Sequence, residues 1–120
     1  MLDKKIHSFR NAWRGVQLAW QEEFNFRVKL VLAAIALVAG WSFSITRGEW
    51  IAVFVSIGLV LTAEMLNTAL EELCDKFEPT PDPHIAKIKD LAAGAVLLAS
   101  LSAFIVACAI FLPRVLSLAA

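Results

Sequence analysis

Three long apolar runs, residues 28–45, 50–73 and 90–112, constrain this chain more than anything else in it. At 1.5 Å per residue, a helix over the first run is roughly 27 Å long, close to the bilayer's hydrocarbon core of about 30 Å. The composition agrees. Hydrophobic residues make up 59% of the 120, against about 45–50% in a soluble domain, and the mean hydropathy is +0.70. The sequence therefore predicts an all-α membrane protein with three spans in one domain over residues 1–120. With 11 basic and 11 acidic residues the net charge is zero. Nothing in that total points to nucleic acid, and the placement of charge carries the information instead.

Ahead of the first span, Ile6, Phe9, Trp13, Val16, Trp20 and Phe24 recur at steps of three and four, with Lys4, Lys5, Arg10, Arg14 and Gln17 mostly between them. That pattern predicts an amphipathic helix over 2–24, lying on an anionic membrane surface. No small-residue cleavage site follows the first run, so a removed signal peptide is not expected. Ser42, Thr46, Arg47, Gly48 and Glu49 form a short polar turn between Trp41 and Trp50, with Gly48 as the expected breaker and the tryptophans as an interfacial belt. Residues 50–75 make about 38 Å of helix, more than a bilayer core, so their far end protrudes. Pro79, Pro81 and Pro83 then force a loop, a helix resumes at Ile85, and Pro113 with Arg114 is expected to end the third span. Nine of the 11 basic residues fall on the side of the N-terminus and the second loop. By the positive-inside rule that side is cytoplasmic.

The chemistry concentrates in the second span. Glu64, Asn67 and Glu71 stand at i, i+3 and i+7, which places them on one helix face, and Asp75 continues the stripe. Glu64 lies about 21 Å from Trp50 along the helix, still within the membrane, while Glu71 and Asp75 reach the cytoplasmic interface. An ionisable group at such depth is a functional candidate by default, with a structural hydrogen-bonding acid as the alternative. Glu23, at the end of the surface helix, is held at the same level as Glu71. Two carboxylates from separate helices suit Mg²⁺, which takes oxygen ligands and shares them with substrate phosphates; a solvated helix end is the plainer reading of Glu23. Lys89 and Asp90 point about 100° apart and serve different partners. Lys89 suits a transferring phosphate and is the cation expected near Glu64, and Asp90 suits orientation or a nucleotide contact; an interfacial pair at a span end is their structural alternative. Ala92, Ala93, Gly94 and Ala95 permit close helix approach. No glycine-rich phosphate loop exists, His7 and His84 are too far apart for a joint site, Ser100 and Ser102 lack a base, and Cys74 and Cys108 read as reduced and structural.

These residues resemble the small bacterial integral-membrane lipid kinases that include diacylglycerol kinase and undecaprenol kinase. AEMLNTALEELCD at 63–75 and AKIKDLAAGAVLL at 86–98 carry the resemblance, supported by EEFNFR at 22–27. It implies a homotrimer in the bacterial cytoplasmic membrane with sites shared between subunits, using ATP and Mg²⁺. It further implies Glu64 as the general base on the lipid hydroxyl, Glu23 and Glu71 as metal carboxylates, Asn67 as a positioning amide, and Lys89 and Asp90 as nucleotide and phosphate contacts. Ala93 falls where some diacylglycerol kinases carry serine, and with Asn25 and the FLPR segment it tilts the resemblance toward undecaprenol or a similar polyprenol over diacylglycerol. The competing class is a non-enzymatic membrane protein, a transporter subunit or scaffold, in which Glu64 and Lys89 form an intramembrane ion pair.

Overall fold

The computed structural model describes residues 1–120 as four helices: α1 (Leu2–Glu22), α2 (Phe24–Phe43), α3 (Arg47–Phe77) and α4 (Pro83–Ala119). The last three are each long and apolar enough to cross a membrane, and the chain is an all-helical integral membrane protein. In lipid every backbone donor and acceptor needs an internal partner, which a continuous helix supplies. The molecule measures 56 × 43 × 22 Å, and its long dimension is about the length of α4 at 1.5 Å per residue.

The first helix ends sooner than its apolar pattern suggests. Glu23 adopts an extended conformation (φ −111°, ψ 109°) and separates α1 from α2. The change of direction costs little, because the Glu23 N–H still donates to Ala19 O at 3.0 Å and the Arg27 N–H donates to Glu23 O at 3.2 Å. Phe26, only 2% exposed, anchors the chain just after this bend. As a result α2 starts at Phe24 rather than residue 28, and Arg27 and Lys29 belong to the membrane helix itself.

The breaker between α2 and α3 is Ser44, not Gly48, which sits inside α3. Ser44 is left-handed (φ 51°, ψ 54°), a conformation that costs a side-chain-bearing residue roughly 1–2 kcal/mol. A Schellman motif offsets that cost: the Ser44 N–H donates to Trp41 O and the Ile45 N–H to Gly40 O, both at 3.2 Å. Ile45 folds back over Gly40, where a Cβ would come within 2.8 Å of the Trp50 ring. Glycine at 40 is what lets α2 and α3 approach here. A capping box then opens α3, with the Glu49 N–H donating to Thr46 Oγ1 at 3.2 Å and the Thr46 N–H to Glu49 Oε1 at 2.9 Å.

Pro113 does not end the helix, and α4 runs on through it to Ala119. Proline removes one N–H and so one intrahelical bond, a loss confined to a single turn. Arg114 secures the continuation. Its guanidinium makes a two-pronged bond to Glu49, Nη2 to Oε1 at 2.7 Å and Nη1 to Oε2 at 2.8 Å, and Nη1 also donates to Ile110 O at 2.7 Å. Beneath this clamp lies the small core of Ile45, Val53 and Ile110, flanked by the tilted Phe43 and Phe111 rings 6.3 Å apart.

The Glu49 carboxyl, in the turn outside the membrane, is pulled down to about 2 by the Arg114 hydrogen bonds and then by the Thr46 N–H. A lowered folded-state value means stability that is present above the unfolded carboxyl range and lost as pH falls toward 2. The thermal midpoint of the protein in micelles should therefore exceed that of Glu49→Gln at neutral pH, and the gap should close between roughly pH 4.5 and 2. A gap that stays constant across that range would remove the ion pair from the account of this turn.

Candidate functional site

The stripe on α3 is present and graded by depth. Glu64 is 3% exposed and is the only charged side chain buried in the chain. Asn67 is half-buried, and Glu71 and Asp75 are exposed. Seven residues of helix place Glu64 about 10 Å deeper than Glu71.

Glu64 is not alone at that depth. Lys29 Nζ on α2 donates to Glu64 Oε2 at 2.5 Å, and no hydrogen bond reaches Oε1. This corrects the expectation that Lys89 supplies the neighbouring cation. Lys89 instead bonds Asp75 at the end of α3, and that carboxylate holds the ammonium above the usual lysine range. In the sequence Lys29 counts only among the basic residues at the edge of the first apolar run, which begins at residue 28, whereas α2 begins at Phe24. Moving the helix start from 28 to 24 carries Lys29 about 6 Å further inside its own helix. The available signal was a lone lysine in an otherwise uncharged run.

Between α2, α3 and α4 lies a cavity of about 560 Å³ with walls including Val53, Ile57, Leu61 and Phe104. Lys29 is the only charged residue on those walls. The apolar space thus reaches the ion pair at its one charged point.

On the water side, Asn67 Nδ2 donates to Glu71 Oε1 at 3.2 Å, which orients the Glu71 carboxylate. Glu23 sits at the bend between α1 and α2, half-buried. No three His, Cys, Asp or Glu side chains converge within the chain, so Glu23 and Glu71 do not form part of a closed cage there. Both nevertheless offer hard oxygen donors, the type Mg²⁺ takes one or two at a time. Asp90 faces away from the Lys89–Asp75 pair and lines a shallow groove with Pro83, Lys87, Leu91 and Gly94. Ala93 is exposed on α4, while Ala92 is buried. Asp82 starts α4 by accepting from the His84 and Ile85 N–H groups at 2.8 and 3.1 Å, two residues before the helix was expected. Both cysteines are free, and Ser102 Oγ donates to its own helix at Leu98 O.

The buried Glu64, the apolar cavity lined by its partner Lys29 and the exposed carboxylates at the end of α3 make up the candidate site. The chain belongs to the prokaryotic diacylglycerol kinase family, a family of lipid phosphotransferases, whose pattern matches residues 10–111. It is similar to the diacylglycerol kinase of Synechocystis sp., with 43% identity over 115 residues, 92% of this chain and 64% of that protein. The chain thus spans a little under two thirds of that relative. It is 33% identical to the undecaprenol kinase of Bacillus subtilis over 113 residues, 94% of this chain and 92% of that protein. The diacylglycerol kinase of Escherichia coli is 29% identical over 97 residues, covering 81% and 80% of the two chains.

Proposed function

We propose that the chain transfers the γ-phosphoryl group of ATP to the hydroxyl of a membrane lipid, with undecaprenol or a similar polyprenol favoured over diacylglycerol. The observation that carries this reading is Glu64, buried at membrane depth with one carboxylate oxygen fixed by Lys29 and the other unbonded. The lipid hydroxyl approaches from the membrane side. Glu64 Oε1 takes its proton as the lipid oxygen bonds to the γ-phosphorus, the bond to ADP breaks, and the proton leaves Glu64 for water after the products separate. Glu23 and Glu71 would hold Mg²⁺ with the ATP phosphates, where the ion offsets charge on the phosphoryl oxygens. Asn67 keeps Glu71 in register, and Lys89 and Asp90 contact the nucleotide from the start of α4. For Lys89 this means exchanging Asp75 for a phosphate.

Glu23 and Glu71 from one chain leave a metal site open, which supports completion of the site between copies in a homotrimer. The basic residues at the N-terminus and around the second loop support a cytoplasmic placement for both, where ATP is available. The Ala93 methyl, in place of a serine hydroxyl, supports the polyprenol. Purified protein with ATP and Mg²⁺ should phosphorylate undecaprenol faster than diacylglycerol at equal mole fraction in mixed micelles; the reverse order would reassign the lipid and leave the kinase standing. A reporter inserted at the Pro79–Pro83 loop should be cytoplasmic and one after Ala120 extracytoplasmic. Both reporters on one side would mean that a span has been miscounted.

A further inference from the structure

We infer that Lys29 is a positioning residue for the transfer step: from the wall of the apolar cavity it fixes the Glu64 carboxylate by one oxygen and leaves Oε1 to take the proton. The inference rests on the reading of Glu64 as the base. Three observations meet at this lysine. Its Nζ donates to Glu64 Oε2 at 2.5 Å, and that oxygen only. Its side chain is 21% exposed against 4% for Glu64, so the ion pair is largely shut away from water. It is also the one charged residue lining the cavity that runs between α2, α3 and α4.

A carboxylate with two free oxygens can rotate about its last torsion. A donor within hydrogen-bond reach of one oxygen stops that rotation and leaves a single oxygen for the incoming hydroxyl. Binding a base in advance of the reaction lowers the barrier only if the fixed geometry is the reactive one, so the benefit should appear in turnover more than in ATP binding. Lys29 bonds Glu64 and neither Glu71 nor Lys89. Its effect passes through Glu64.

The test is a double-mutant cycle on protein shown to be helical and assembled in micelles: Lys29→Met, Lys29→Arg, Glu64→Gln and the Lys29→Met/Glu64→Gln double variant. Lys29→Met should lower kcat by roughly 10- to 100-fold, with the KM for ATP within about threefold of the parent. Lys29→Arg, which keeps the charge, should recover most of that loss. In the Glu64→Gln background, Lys29→Met should cost less than about threefold, because there is no base left to position. Near-normal kcat in Lys29→Met beside an inactive Glu64→Gln would overturn the role of Lys29 while keeping Glu64 as base. Equal losses in both backgrounds would likewise overturn it, showing that Lys29 acts independently of Glu64. Normal turnover in Glu64→Gln would overturn the base assignment itself and the positioning role with it, a distinct outcome. Should Lys29→Met fail to assemble because it leaves a lone buried carboxylate, Lys29→Gln, which keeps a hydrogen-bond donor without the charge, takes its place in both backgrounds. An assembled Lys29→Gln with near-normal kcat, or with the same loss in the Glu64→Gln background as alone, overturns the inference; a loss of roughly tenfold that disappears in the Glu64→Gln background upholds it.

Discussion

Glu64→Gln loses roughly two to four orders of magnitude in turnover, the range a positioned general base contributes, while the protein still inserts, assembles and binds ATP. The substitution keeps the shape of the side chain and leaves an amide oxygen for Lys29, so the ion pair becomes a neutral-acceptor hydrogen bond rather than an empty site. Glu71, proposed to share Mg²⁺ with the ATP phosphates, lies about 10 Å further along α3 and is exposed, so it should be indifferent to the change. For this reason the KM for ATP is expected to change little as kcat falls. A stability measurement belongs beside the assay. Replacing a buried pair by one with a single charge leaves Lys29 unneutralised, and breaking such a pair costs about 3–5 kcal/mol in the least favourable cases. Near-normal turnover in folded, assembled Glu64→Gln would make Glu64 a structural acid between spans.

Glu71→Gln should show a different signature. Glu71 is exposed, with Oε1 held by the Asn67 amide, so the substitution carries little structural penalty. What it removes is a charged oxygen facing the water side. The Mg²⁺ concentration for half-maximal activity should rise by roughly tenfold or more, with activity falling in parallel, as is usual when the set of oxygens around a metal is weakened. Glu72→Gln is the control, because Glu72 is also exposed but points off the stripe. An unchanged Mg²⁺ dependence in Glu71→Gln, or an equal change in Glu72→Gln, would take the metal away from Glu71.

Much of this could be seen in the sequence because both membrane helices and the site obey simple periods. Long apolar runs fix three spans, since lipid tolerates little else, and a 3.6-residue repeat places Glu64, Asn67 and Glu71 on one face whatever the neighbours do. The failures have local causes. Gly48 drew attention as the obvious breaker, yet the left-handed residue is Ser44, stabilised by backbone bonds to Gly40 and Trp41 that no composition rule reveals. Pro113 reads as a stop, but it removes a single helical hydrogen bond, and the Arg114 contacts to Glu49 and Ile110 O hold the helix there. Its neighbour Arg114 finds Glu49 at a separation of 65 residues, a pairing with no periodic trace. The most consequential omission was the partner of Glu64. Lys89 stands nearer in sequence and beside a motif, while Lys29 stands in the opposing helix, and a pairing across 35 residues leaves no periodic trace.

Phosphoryl transfer onto a lipid at Glu64 is read directly as the appearance of label in extracted lipid when purified protein is given ATP labelled at the γ-phosphate, Mg²⁺ and micelles containing undecaprenol or diacylglycerol. The account predicts labelled lipid phosphate that requires the protein, Mg²⁺ and the lipid alcohol, and that drops by roughly 10²-fold or more in Glu64→Gln. No label in either lipid from assembled protein, or equal label from the parent and Glu64→Gln, would contradict it.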